Sequence, residues 1–118
     1  MSDEITPLGS IHISPQAIAT IAYHATMQTY GVVGLAAKNL LDGLANVIVK
    51  DPTHGIDVRY DGEIVDIDIY IIIEYGTRIK SVAASVANTV RYQVEKAIGL
   101  PINNVNVHVQ GLRISDVD

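Results

Sequence analysis

Between Val65 and Tyr75 the chain reads VDIDIYIIIEY. The alternation assigns Val65, Ile67, Ile69, Ile71, Ile73 and Tyr75 to one side of a strand and Asp66, Asp68, Tyr70 and Glu74 to the other. A period of two over this length defines a strand with one buried face. Upstream, Ile56, Val58 and Tyr60 keep the same period and run into Asp61-Gly62, a dipeptide suited to a two-residue type I′ turn. The expected product is a hairpin in which Val58 lies opposite Val65 and Ile56 opposite Ile67. Both strands then turn their apolar residues to one side without a bulge.

A short strand is expected over residues 9–13, where Ile11 and Ile13 alternate with Ser10 and His12. Ser14-Pro15 then opens a helix, because serine accepts from the orphan amides of the first turn and proline at the first helical position forfeits no bond. Ile18, Ile21, Ala22 and Ala25 continue at helical spacing, and Gly31 offers a left-handed stop, giving a helix over 15–30. Residues 32–54 carry no single period: a strand-like start, a helical middle with Leu40, Leu41 and Leu44, and a β-branched end. The turn-forming KDPTHG at 50–55 reads as a surface loop. Gly76 closes the long strand, and Ile79, Val82, Ala83, Val86, Ala87, Val90, Val94 and Ala97 then define a helix that stops at Gly99, ahead of Leu100 and Pro101. A last strand over 104–114 turns Val105, Val107 and Val109 inward and Asn104, Asn106, His108 and Gln110 outward. A bulge or bend is expected at Gly111, where the apolar phase moves to Leu112 and Ile114.

The order β-α-(β or short α)-β-β-α-β predicts an α+β fold, a two-layer α/β sandwich. Its small mixed or antiparallel sheet carries the two main helices on its single apolar face. Residues 1–8 read as a polar leader and 9–114 as one domain. With 118 residues, 48% of them hydrophobic, the chain can bury a core without help from a ligand. The formal charge of −5 disfavours phosphate backbones and bare anionic lipid, so neither nucleic acid nor direct membrane insertion is expected. The absence of cysteine excludes disulfides and thiolate chemistry and favours a cytoplasmic location. The acidic start MSDEITPLGS is not a signal peptide, and no apolar run reaches the roughly 20 residues of a membrane helix.

The chain offers little that could carry a reaction. Asp66, Asp68 and Glu74 share a strand face, yet a straight strand does not wrap oxygens around a hard cation. His12, His24, His54 and His108 are scattered without metal-ligand spacing, and no nucleophile elbow, phosphate loop or dinucleotide fingerprint occurs. No cofactor or metal is expected. Tyrosine supplies every aromatic, and Tyr60, Tyr70, Tyr75 and Tyr92 are candidates for a pocket, an interface or the edges of the core. A sheet that stacks RNA bases would need basic charge, whereas Tyr70 stands between carboxylates. The outward residues Asp68, Tyr70, Asn104, Asn106, His108 and Gln110 remain as a candidate recognition surface.

Several strings resemble the alkaline shock protein 23 family, envelope stress proteins of Gram-positive and related bacteria. They are GSIHIS, YGVVGL from Tyr30 to Leu35, GIDVRYDGEIVDIDIYIIIEYG, and VNVHVQGL from Val105 to Leu112. The resemblance implies a non-enzymatic interaction module without catalytic residues. Such a module self-associates or docks beneath the membrane on a membrane-anchored partner and supports envelope homeostasis. The chain looks like the short, domain-only branch found beside a fatty acid kinase-like protein. That branch also implies an alternative, a regulatory domain for an acyl or other lipid-related metabolite acting with such a kinase.

Overall fold

The computed structural model describes residues 13–37, 48–49 and 55–114. Ser14 opens α1 (Pro15–Met27) as expected, its Oγ accepting from the Ala17 amide at 3.0 Å. The helix stops three residues short of Tyr30. Thr26 and Thr29 turn their hydroxyls back onto the carbonyls of Ala22 and Ala25, and the Thr29 amide bonds Thr26 three residues behind it, tightening the last turn. Gly31, at φ +96°, serves the next step, the turn into β1 (Val32–Ala36). The strand-like start and β-branched end of the ambiguous segment are strands, β1 and β2 (Ile48–Val49). Its helical middle lies outside the described residues, as does the strand expected over 9–13 apart from Ile13, which is in no strand and packs on the core.

β3 (Ile56–Tyr60) and β4 (Val65–Glu74) form the expected hairpin, with a different turn. Tyr60 faces Val65, Val58 faces Ile67 and Ile56 faces Ile69, so four residues, not two, make the connection. The Asp61 carboxylate accepts from the amides of Glu63 and Ile64 at 3.0 and 2.8 Å, which closes a wider loop than the dipeptide rule implies. The slip is two residues, one full side-chain period, so the apolar faces still coincide.

β4 is the centre of a mixed, five-stranded sheet. One edge pairs in parallel with β5 (Asn104–Arg113) from Asp66↔Asn104 to Glu74↔Arg113, after a crossover through α2 (Ile79–Ile98). The pairing skips from Ile71↔Val109 to Ile72↔Gly111, which makes the expected bulge and brings Leu112 beside Ile73. The other edge of β4 is shared by two antiparallel strands set end to end, β3 against Val65–Ile69 and β1 against Ile71–Ile73, and β2 extends the sheet from β1. Gly55 sits where the two strands abut. A Cβ there would fall 2.7 Å from the Leu35 Cβ and 3.1 Å from the Ala36 carbonyl oxygen. Gly55 is therefore buried, against the expectation of a surface loop; residues 50–54 of that loop lie outside the described residues.

Both helices cover one face of the sheet. α2 buries Val82, Val86, Val90, Val94 and Ile98, and α1 buries Ile18 with Ala19, Ala22 and Ala25, small residues that let the helices approach closely. Beneath them lie Ile67, Ile69, Ile71 and Ile73. Gly99 ends α2 in the left-handed conformation, φ +75°. Arg91 then donates to the Ile102 carbonyl, and the Ile102 amide donates to Glu95 Oε2 at 2.9 Å, so one residue leading into β5 is gripped at both ends. Ile72 and Ala36 are also fully buried yet stand apart from this cluster. Ile72 alternates with Ile71 and Ile73 and so faces away from the helices, in register with Gly34 on one side and Gly111 on the other. The outer face is thus polar over β3 and the first half of β4 but carries a buried isoleucine further along.

Candidate functional site

The parallel register of β4 and β5 sets Asp66 beside Asn104, Asp68 beside Asn106 and Tyr70 beside His108, all on the face opposite the helices. β3 contributes Asp57 opposite Asp68 and Arg59 opposite Asp66. Two carboxylates directly opposite each other repel. Arg59 sits between them, its Nη1 2.7 Å from Asp68 Oδ2 and 3.1 Å from Asp57 Oδ2. On the other side, His108 Nε2 lies 2.9 Å from Asp68 Oδ1. A carboxylate only accepts, so Nε2 carries the proton of this bond. The His108 ring stacks on Tyr70 with centroids 4.6 Å apart and planes 14° from parallel.

Asp68 is the hub of this arrangement and is only 8% exposed, so it braces the surface more than it presents itself. Burial works to raise its pKa. Hydrogen bonds from His108, Arg59 and Asn106, with the charge of Arg59, outweigh burial and hold the carboxyl below its ordinary value. Burial, together with the charges of Asp68 and Asp57, pushes the Tyr70 hydroxyl up. Because Asp68 is easier to ionise in the folded state, it adds stability above the unfolded pKa of about 4, and that contribution is lost as pH falls through its lower folded value. Asp68→Asn is expected to cost about 1–2 kcal/mol at neutral pH, the partners being half-exposed and able to return to water. Urea titrations at stepped pH should show the wild type losing its advantage over this variant below about pH 4. A constant gap down to the acid limit would contradict the role given to Asp68.

Of the candidate surface residues, Asp68, Tyr70, Asn106 and His108 come together, and Asn104 lies on the same face one pair away, beside Asp66. Gln110 is the extra residue of the β5 bulge, beyond the stack. Asp66 does not join Asp68 and His108; its Oδ1 accepts from Asn103 Nδ2 at 3.0 Å. Among the described residues no group of three His, Cys, Asp or Glu is arranged to hold a metal ion. Arg59 is the cluster member that the sequence reading leaves out. The signal for it is present: if Ile56, Val58 and Tyr60 point inward, Asp57 and Arg59 point outward onto the carboxylates of β4.

Fold and face together define a two-layer α+β domain with a fixed polar and aromatic outer sheet. The model of the alkaline shock protein 23 family, with a cell envelope-related function, matches residues 3–114, and the chain belongs to that family. It is 44% identical to YloU of Bacillus subtilis (strain 168), over 98% of this chain and 99% of that protein. It is 32% identical to YqhY of the same organism, over 96% and 84%. Among solved structures, the copper form of the MamM CTD superposes with a TM-score of 0.52 at 17% identity, covering 87% of this chain and 91% of that one. A zinc form of a MamM CTD variant gives 0.53 at 17% identity, covering 86% and 90%. At this identity the likeness extends to the fold.

Proposed function

We propose that the chain is a non-enzymatic module of the cell envelope. It works on the cytoplasmic side by docking its outer sheet face, around Tyr70 and His108, onto a protein anchored in the membrane. The observation that carries this reading is the closed bonding of the face. His108, Arg59 and Asn106 all direct donors at Asp68, which leaves a pre-set aromatic and polar platform and no carboxylate or imidazole pair poised on a substrate. A platform already ordered before contact loses little side-chain entropy on binding, and Tyr is favoured at such positions. The envelope-related family supports the setting. No helix among the described residues is long and apolar enough to cross a membrane, which accords with an anchor supplied by the partner.

Tyr70→Lys tests the docking face. It removes the stack and adds a charge that the Asp68 carboxylate can accept, while Tyr70 lies on the central strand and leaves the edge strand intact. The melting temperature should stay within about 5 °C of the wild type. Crosslinking in intact cells should lose the adduct with a membrane protein that the wild type forms. An unchanged adduct would refute docking through this face.

A further inference from the structure

Among the described residues β5 is an edge strand, its only partner in the sheet being β4. None of its ten residues is buried, whereas seven of the ten in β4 are. Even the inward valines, Val105, Val107 and Val109, are only half-buried. Edge strands usually carry Lys, Pro or a short length to prevent pairing with another chain. Here the sequence contains no Asp, Glu, Lys or Arg from Ala97 to Leu112, in a chain of net charge −5. From Asn104 to Val109 the edge carries neither charge nor proline, and its one guard, the bulge at Gln110, comes only after that stretch.

The strand also matches itself when reversed. Asn104 to Gln110 reads NVNVHVQ, a polar residue at both ends and alternating valines, symmetric in character about Val107. We propose that β5 pairs antiparallel with β5 of a second copy about a two-fold axis through Val107. An axis normal to the sheet keeps both helical layers on the same side and so requires inward residues to face inward residues. Centring on Val107 satisfies this with the most β-branched pairs: Val105 faces Val109 of the second copy, Val107 faces its own equivalent, and Val109 faces Val105. On the outer side Asn104 faces Gln110 and Asn106 faces His108, pairs that can share hydrogen bonds. Shifting the centre to His108 would set two imidazoles against each other and spend Val105 on Gly111. The two outer faces, each with its Tyr70–His108 stack, join into one surface across the seam. This pairing uses the backbone edge and not Tyr70; it shares His108 with the docking face, but the mass and the crosslinks of the purified chain report on the pairing alone.

The chain has no cysteine, so single-cysteine variants report register directly. Opposed residues of an antiparallel pair lie about 4.5–5.5 Å apart at Cα, within disulfide range. Positions 104 and 110 would each lie about 20 Å from their own equivalents. The purified full chain should sediment at twice the monomer mass. Under mild oxidation Val107→Cys should crosslink to near completion, with Asn104→Cys and Gln110→Cys remaining at least tenfold behind. The double variant Asn106→Lys with His108→Lys sets ammonium groups opposite one another across the seam, while the ammonium introduced at position 108 can still reach Asp68. It should halve the mass with an unchanged far-ultraviolet circular dichroism spectrum. A monomeric wild type, equal crosslinking at all three positions, or a folded double-lysine variant that stays dimeric would each overturn the proposal. If the double-lysine variant does not fold, the cysteine series decides.

Discussion

Ile71→Ala should destabilise the protein by about 2–5 kcal/mol, a large share of the roughly 5–15 kcal/mol that holds a typical domain together. Ile71 is fully buried at the middle of the central strand, with Leu35 of β1 opposite it on one side and Val109 of β5 on the other. The same face carries Ile69 and Ile73 along the strand, with the helical layer above. A cavity at that point is walled by paired backbone and β-branched side chains, which have few alternative rotamers with which to fill it. The loss should therefore fall in the upper part of the range. Urea unfolding should show a lower midpoint with an unchanged slope. Ile64→Ala, at a loop position 47% exposed, should change stability by no more than about 0.5 kcal/mol. Similar losses at the two positions would refute the assignment of Ile71 to the core.

Gly31→Ala should cost about 2–4 kcal/mol from two separable sources. The first is the backbone, since φ +96° is a conformation that residues with a Cβ enter only at a cost of about 1–2 kcal/mol. The second is contact: the added Cβ would lie 2.8 Å from Cγ2 of Val82, a buried and rotamerically stiff side chain on α2. The Gly31 carbonyl also accepts from the Glu74 amide at 2.8 Å, so moving this turn to relieve the overlap disturbs the end of β4. A double-mutant cycle with Val82→Ala separates the terms, because it removes the overlap and leaves the dihedral strain. A favourable coupling of about 1 kcal/mol or more is expected. Purely additive effects would show that the contact contributes nothing.

The features legible in the sequence are those that a local period encodes. The alternation of β4, the valine row of α2, the Gly99 stop and the phase change at Gly111 each depend on a few neighbouring residues, and the structure carries all four. The hairpin turn departs from the dipeptide rule because the Asp61 side chain competes for the amides of Glu63 and Ile64, a preference to which that rule is blind. Burial of Gly55 depends on β1 and β3 meeting end to end, which no local pattern signals. The early end of α1 coincides with the Thr29 amide bonding Thr26 three residues behind it instead of continuing the four-residue ladder, a tightening that no apolar period signals. At the site, alternation places Tyr70, Asn106 and His108 on the outer face, but only the parallel neighbour relation of β4 and β5 brings Tyr70 against His108. Period two reveals which way a residue points and is silent on which strand lies alongside.

The end-to-end meeting of β3 and β1 has a mechanical consequence. The row of bonds along that edge of β4 is interrupted between Ile69 and Ile71, so one flank of the sheet is two short pieces. β5 runs past the interruption without a break in its ladder opposite Tyr70. It acts as a splint, tying the hairpin half of the sheet to the half built on β1. Tension applied lengthwise to β5 is taken up along nearly the whole of β4, whereas the same pull on β3 or β1 enters β4 over only part of its length.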